Sequence, residues 1–449
     1  MNPYSSATQI VAALRGRGTS ALEMVELYLE RRRRLGARVN AIVSTADDEV
    51  LAQARECDAA TARRDRTLHG LPLTIKDGIH VQGWPSTGGI VEPAQARAAA
   101  DAPNVRQLLD AGAIVIGKTN VSTANSDWQA VNALFGRSLN PWNAALTPGG
   151  STGGGAAAVA AGLCAAELGS DIGGSIRIPA AFCGIYGHKP TATALPRGGH
   201  FPGGTVGNPA RQLAVQGPLA RSATDLELLF RVLCRAEGLE GKGWRPHLPA
   251  PRFERLDAAR VGFLRIPDWL PVENSILEAR DAVCGHLQRL GARVVEVDAN
   301  PWFGDFRDYY QQYLIALQCL LAGSLSPATR AKAAAKMRGY DDGFLAAVAD
   351  GLEAGAGVLV ELLETFERHK LAWEQIFERV DVLLTPACSS NAFVHDDGYF
   401  YERSLSINGE AMPYYRLSAL PALASVAGLP GTVFPTGRLA PNGSPIGLQ

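Results

Sequence analysis

At 449 residues the chain is longer than most single domains, and with 47% apolar and 19% charged residues it carries enough for a large core and is no disordered segment. The formal net charge is −1 with Lys and Arg scattered, which excludes the footprint of a nucleic-acid binder or a polybasic membrane anchor. Seven cysteines, none in a C-x-x-C pair or at zinc spacing, read as reduced thiols of a cytoplasmic protein that holds no metal.

In chain order, the N-terminus lacks the apolar stretch of a signal peptide. SALE, Ser20 to Glu23, is a capping box that opens a helix with Leu22, Val25 and Leu29 on one face. The basic run Arg31 to Arg34 falls on this helix, where a solvated face is expected. A short apolar strand, Leu71 to Ile75, ends at Lys76 and Asp77. VRQLLDAGAIVIGKTN reads as helix, glycine turn and apolar strand, Ala113 to Ile116. TPGGSTGGG, Thr147 to Gly155, packs five glycines around Ser151 and Thr152. It leads into AAAVAAGLCAAELG, expected as a small-residue helix, and then a second glycine turn, GSDIGG. Glu237 to Leu256 has the Pro, Gly and charge content of a surface connection. ARVGFLRIP, ENSILEARDAVCGHLQRLGA and RVVEVDA form a β-α-β unit. Phe303 to Val380 is helical and begins among aromatics, Trp302, Phe303, Phe306, Tyr309, Tyr310 and Tyr313, before VDVLLTPA returns to strand. The alternation of helices and strands predicts an α/β fold.

Glycine at such density means backbone in places other residues cannot occupy. A phosphate loop would need Lys-Ser/Thr after the glycines, or G-x-G-x-x-G after a strand, and neither is present. GGSTG fits the nucleophile-elbow pattern literally but has no strand before it and no persuasive acid and histidine after it. A second glycine-framed serine, Ser175 in GSDIGGSIRIP, follows Ser151 by 24 positions, and Lys76 closes an apolar strand upstream. LHGLPLTIKD, GKTN, NPWN, TPGGSTGGGAAAVAAG, GSDIGGSIRIPAAFCG and GHKPT, in that order, strongly resemble the amidase signature family, from about Ala7 to the C-terminus and most densely from Leu68 to Thr191.

That resemblance implies a large mixed β-sheet covered on both faces by helices. It implies a single amidase domain over 1–449, with a signature core at 68–191 and a helical substrate-pocket region at about 300–380. It implies hydrolysis of a linear carboxylic amide through an acyl-serine, with no cofactor. By position Lys76, Ser151 and Ser175 match the family's lysine, cis serine and nucleophile, and the amides of Ile172, Gly173, Gly174 and Ser175 match its oxyanion hole.

Each assignment is chemically sound. A serine hydroxyl needs a base, and lysine serves only when neutral. Lowering its pKa from about 10.4 to about 8 by burial takes about 3 kcal/mol. The resemblance implies that the lysine reaches the nucleophile through a relay, Ser151, held by a cis Gly150–Ser151 peptide bond. Asp171 and Arg177 are expected to pair and steady the turn. Thr152 stands where many relatives have serine, and His188 where leucine is commoner. Asp127 and Trp128 are candidate substrate contacts, with a loop anchor as the alternative. The late strand pair in GLPGTVFPTGRLAPNGSPIGLQ ends where relatives continue, so the C-terminal end is expected to be short or truncated. The partner implied is a small amide. The glutaminase component of an amidotransferase, an inactive binding relative and a homodimer stay open.

Overall fold

Strands that are apolar at every position must be covered on both faces, because successive side chains point to opposite sides of a sheet. The computed structural model describes residues 1–60, 65–200, 213–236, 238 and 240–449. In chain order its principal strands are β1 (Ile42–Ser44), β2 (Pro72–Lys76), β3 (Ile114–Thr119), β4 (Ala166–Asp171), β5 (Tyr186–Lys189), β6 (Val215–Ala220), β7 (Arg260–Leu264), β8 (Arg293–Val297), β9 (Val382–Leu384), β10 (Gly431–Leu439) and β11 (Pro445–Leu448). Eight of them form one mixed sheet in the order β1-β3-β2-β4-β6-β5-β10-β11. β2, β3, β4 and β6 are buried at every residue, so helices cover both faces of the sheet's centre. β2 runs parallel to β3 and β4, while the remaining pairs of this sheet are antiparallel.

The expected β-α-β unit is present: β7 and β8 flank the helix Asn274–Arg289, and β9 joins β7 to complete a small parallel sheet. The C-terminal strands pair with each other and, through β10, with β5. The last residue continues this link, since the Gln449 and Thr385 main chains exchange hydrogen bonds of 2.8 Å beyond the end of β9. Among the described residues no helix is long and apolar enough to cross a membrane.

Three local expectations change. The alanine-rich helix stops at Ala160, and Ala166–Asp171 is strand β4. Alanine's helix propensity is overridden because the Ala165 amide bonds to Pro72 and β4 seats beside β2 at the sheet's centre. Gly169, Ser170 and Asp171 therefore belong to a strand, and the second glycine turn begins at Ile172. The basic run is only half solvated. Arg31 donates to the Ala161 carbonyl at 2.8 Å and Arg32 pairs with Asp47 at 2.6 Å, while Arg33 and Arg34 face water. The described part of 237–256 is mostly exposed, as its composition implies.

The helix Gly153–Ala160 shows what its glycines are for. At Gly154 a β-carbon would lie 2.5 Å from both the nitrogen and the oxygen of the Asn120 backbone. Backbone meets backbone here, and neither side has a flexible group to move. Gly154→Ala is therefore expected to lower the free energy of unfolding by about 2–3 kcal/mol. A urea titration showing no change in midpoint would mean that the contact relaxes freely.

Candidate active site

Lys76 is the last residue of β2, and its side chain has no solvent exposure. Its Nζ lies 2.7 Å from Ser151 Oγ and 2.9 Å from Ser170 Oγ. Burial pulls the amine down from its usual 10.5 to about 7, against the opposing fields of Asp171 and Glu167. Glu167 is itself pushed up to about 7 by burial, despite the hydrogen bond it accepts from the Thr119 hydroxyl, so its charge supports an ammonium weakly. Asp77, next in sequence, is turned away from Lys76 and accepts from the Thr87 amide and hydroxyl. Lys118, from the GKTN stretch, donates to the carbonyls of Asp77, Ile79 and Pro85, which fixes the chain just beyond Lys76.

Ser151 enters this pocket on a loop that only glycine could build. The Gly150–Ser151 peptide bond is cis, and Gly149 has φ +84°. A β-carbon on Gly149 would lie 2.7 Å from Pro179 Cα. The Thr152 amide donates to the Ser175 carbonyl at 3.1 Å, which docks the first glycine loop on the second. The Thr152 hydroxyl donates to the Ser170 carbonyl at 3.3 Å, so the threonine in the usual serine's place still supplies a hydrogen bond.

The second loop, Ile172 to Ser175, is wound around Asp171. One carboxylate oxygen accepts from the Gly174 amide at 2.9 Å and the other from the Ile176 amide at 3.0 Å. Arg177 chelates both oxygens, at 2.8 and 3.0 Å, and neither side chain is exposed. Burial would raise the Asp171 carboxyl, but the guanidinium and the two amides hold it well below the usual carboxylate range. The remaining Arg177 donors reach Pro421, Ser425 and the side chain of Gln449, so the chain's last residue helps to hold the turn. This geometry changes the expectation for Gly174. Its N–H is committed to Asp171, whereas the amides of Ile172, Gly173 and Ser175 make no hydrogen bond among the described residues.

Asp127 and Trp128 also differ from the expectation of substrate contacts. The Trp128 indole N–H donates to the Gly173 carbonyl at 3.0 Å, and the ring is 9% exposed. The Asp127 carboxylate is held by Arg403 and by the Tyr414 hydroxyl, each at 2.6 Å. The polar atoms of both already have protein partners: Trp128 anchors the second loop, and Asp127 ties its own segment to Arg403 and Tyr414. Trp128, Phe400 and Tyr414 form an aromatic group around this anchor, with centroids 5.4 Å apart.

Of the aromatics near residue 310, Tyr309 and Tyr310 are core, with hydroxyls on the carbonyls of Leu423 and Tyr415. Tyr313 alone of the three reaches the site, where its hydroxyl leaves no room for a side chain at Gly173. The side chains of Trp302 and Phe303 lie outside the described residues. Ser170 and His200 are site residues that the sequence pattern does not single out. Ser170 sits inside a quoted motif and is legible there only as a hydroxyl beside the turn. His200 carries no local signal, because its approach depends on a bridge to Ile79 that only the fold creates.

Residues 23–449 match the family model described as Amidase. The chain belongs to the amidase signature family. This amidase is 33% identical to an indoleacetamide hydrolase of Bradyrhizobium diazoefficiens over 99% of its own length and 82% of that protein. It is 30% identical to a glutamyl-tRNA(Gln) amidotransferase subunit of Thermosynechococcus vestitus, covering 96% of this chain and 90% of that one. A bacterial aryl acylamidase superposes with a TM-score of 0.80 at 24% identity, over 99% of this chain and 92% of its own, a likeness of fold. The amidase is accordingly a hydrolase of carbon–nitrogen amide bonds.

Trp128→Phe keeps an aromatic ring but removes the indole donor to Gly173. The expected result is a fall in kcat of about tenfold with a stability loss of about 1 kcal/mol, the size of one buried hydrogen bond. An unchanged kcat measured beside an unchanged melting temperature would show that the loop holds without it.

Proposed function

We propose that the protein is a free-standing serine amidase, working as one domain, that cleaves a linear carboxylic amide through an acyl-serine. The observation that carries this is a fully buried lysine amine, lowered to about 7, at 2.7 Å from a serine whose loop is docked on Ser175. Ser175 Oγ attacks the amide carbon while its proton passes to Ser151 Oγ and the Ser151 proton passes to neutral Lys76 Nζ. The carbonyl oxygen gains the negative charge opposite the amides of Ile172, Gly173 and Ser175, the three left unbonded when Asp171 takes Gly174. Fixed donors of this kind contribute about 2.7–4 kcal/mol each to the transition state. The ammonium then returns the proton through Ser151 to the departing nitrogen, and the C–N bond breaks. Water repeats the sequence on the acyl-serine, yielding the carboxylic acid and regenerating Ser175.

The substrate class we favour is an aryl or otherwise apolar acyl amide. Support comes from the likeness to an indoleacetamide hydrolase. The likeness to a component of an amidotransferase favours the second reading, a glutaminase that passes ammonia to a partner. A panel of amides decides between them. Indole-3-acetamide and phenylacetamide are expected to be hydrolysed by the isolated chain in preference to glutamine. Glutamine turnover that appears only with a co-purifying second chain would support the glutaminase instead.

The proposed base makes a signed prediction about pH. Lys76 works unprotonated, so kcat/KM is expected to be level above about 7 and to fall about tenfold per pH unit below it. Ser175→Ala is expected to abolish turnover, and Lys76→Ala to reduce it by about 100-fold or more. Activity that stayed level down to about pH 5 would remove Lys76 from the role of base.

A further inference from the structure

The amine of Lys76 has two hydroxyl partners, Ser151 and Ser170. As an ammonium it can donate to both. Once neutral, it has a single lone pair, and the relay works only if that lone pair faces the Ser151 hydroxyl hydrogen. Ser170 must then accept from Lys76, and its own hydrogen must point elsewhere.

Among the described residues, the polar side-chain atoms within hydrogen-bond distance of Ser170 Oγ are Lys76 Nζ and His200 Nε2, the latter at 2.7 Å. Of these two, His200 is the one that can take the Ser170 hydrogen without occupying the amine's lone pair. Its place is set by the main chain: residue 200 bridges to Ile79, three residues past Lys76, and the His80 amide donates to Gly199 at 2.9 Å. Gly199 has φ +68° and lies so close to Ala102 that a β-carbon would sit 2.6 Å from its Cα. The backbone carrying His200 is therefore locked against the strand that carries Lys76.

We propose that His200 is a positioning residue for catalysis. In its neutral form, with the proton on Nδ1, it accepts the Ser170 O–H at Nε2, turns a Ser170 lone pair to Lys76, and so reserves the amine's lone pair for Ser151. No net proton reaches His200. Without it, the Ser170 hydroxyl rotates onto Lys76 and competes with Ser151 for the one basic site. The inference rests on Lys76 being the base of the proposed mechanism.

The test reads the rate at which a fluorophosphonate labels Ser175 in the full-length folded protein, so no substrate need be known. His200→Leu is expected to slow labelling by about 10- to 100-fold, within the range of a positioned proton-transfer group. His200→Gln, whose carbonyl can accept the Ser170 hydrogen, keeps most of the rate. The decisive comparison is with Ser170→Ala, which deletes the competing hydroxyl. The double variant Ser170→Ala/His200→Leu is expected to label as fast as Ser170→Ala alone, because nothing is left for His200 to orient. A merely structural His200 would instead multiply the two losses. That outcome, or wild-type labelling in His200→Leu, overturns the proposal. If His200→Leu does not fold by circular dichroism, His200→Phe fills the ring's space and takes its place in both comparisons. Undiminished labelling in Lys76→Ala would bring down the underlying mechanism, and is read separately from any His200 result.

Discussion

Asp171 and Arg177 form an ion pair with no solvent exposure, and the geometry of the site hangs from it. A buried pair is weak evidence of net stability, but removing one partner strands a charge and typically costs about 3–5 kcal/mol. Here the pair also acts as a template. The carboxylate winds the Ile172–Ser175 loop by taking the Gly174 and Ile176 amides, and the guanidinium ties that loop to the 421–425 segment and to Gln449. Because Asp171 ends β4, the loop's position follows directly from the centre of the main sheet. In the proposed mechanism the amides left over are the ones that face the developing oxyanion.

Around that template the glycines act through what they lack. Gly154 admits the Asn120 backbone and Gly149 admits Pro179, while Tyr313 closes over Gly173. These contacts seat the two glycine loops and the helix that follows the first one closer to their neighbours than side chains would allow. Burial is what lets Lys76 serve as the base in the proposed mechanism. An exposed lysine would be an ammonium throughout the neutral range, whereas burial lowers this one to about 7. Tight packing at the glycines and the basicity of the amine are thus one design seen at two levels.

Neutralising the amine raises a further demand, because a single lone pair must be directed to the right hydroxyl. Two serines approach Lys76 from different elements, Ser151 on the glycine loop and Ser170 on β4. Hydroxyl hydrogens rotate freely unless an acceptor fixes them. Catalysis by a Ser–Ser–Lys arrangement therefore depends on hydrogen-bond direction as well as on distance, and the orienting group can lie outside the three residues themselves.

The α/β class and the family were legible in the amino-acid order, which also offered Lys76, Ser151 and Ser175 as the candidate triad. They were legible because the apolar strand before Lys76 and the glycines flanking each serine are local patterns with local physical causes. The Asp171–Arg177 pair could be anticipated in the same way, since its members lie six positions apart. What depended on distant partners had to wait for the closed fold. The Ala-rich segment became a strand after Ala165 because β2 offered its edge. Trp128 became an anchor because the Gly173 carbonyl lay in reach, and Asp127 because Arg403 and Tyr414 arrived from the far end of the chain. His200 met Ser170 only through a bridge to Ile79. Local order dictates which groups the chain carries and how its backbone can bend; tertiary packing alone dictates which of their hydrogen bonds are already taken.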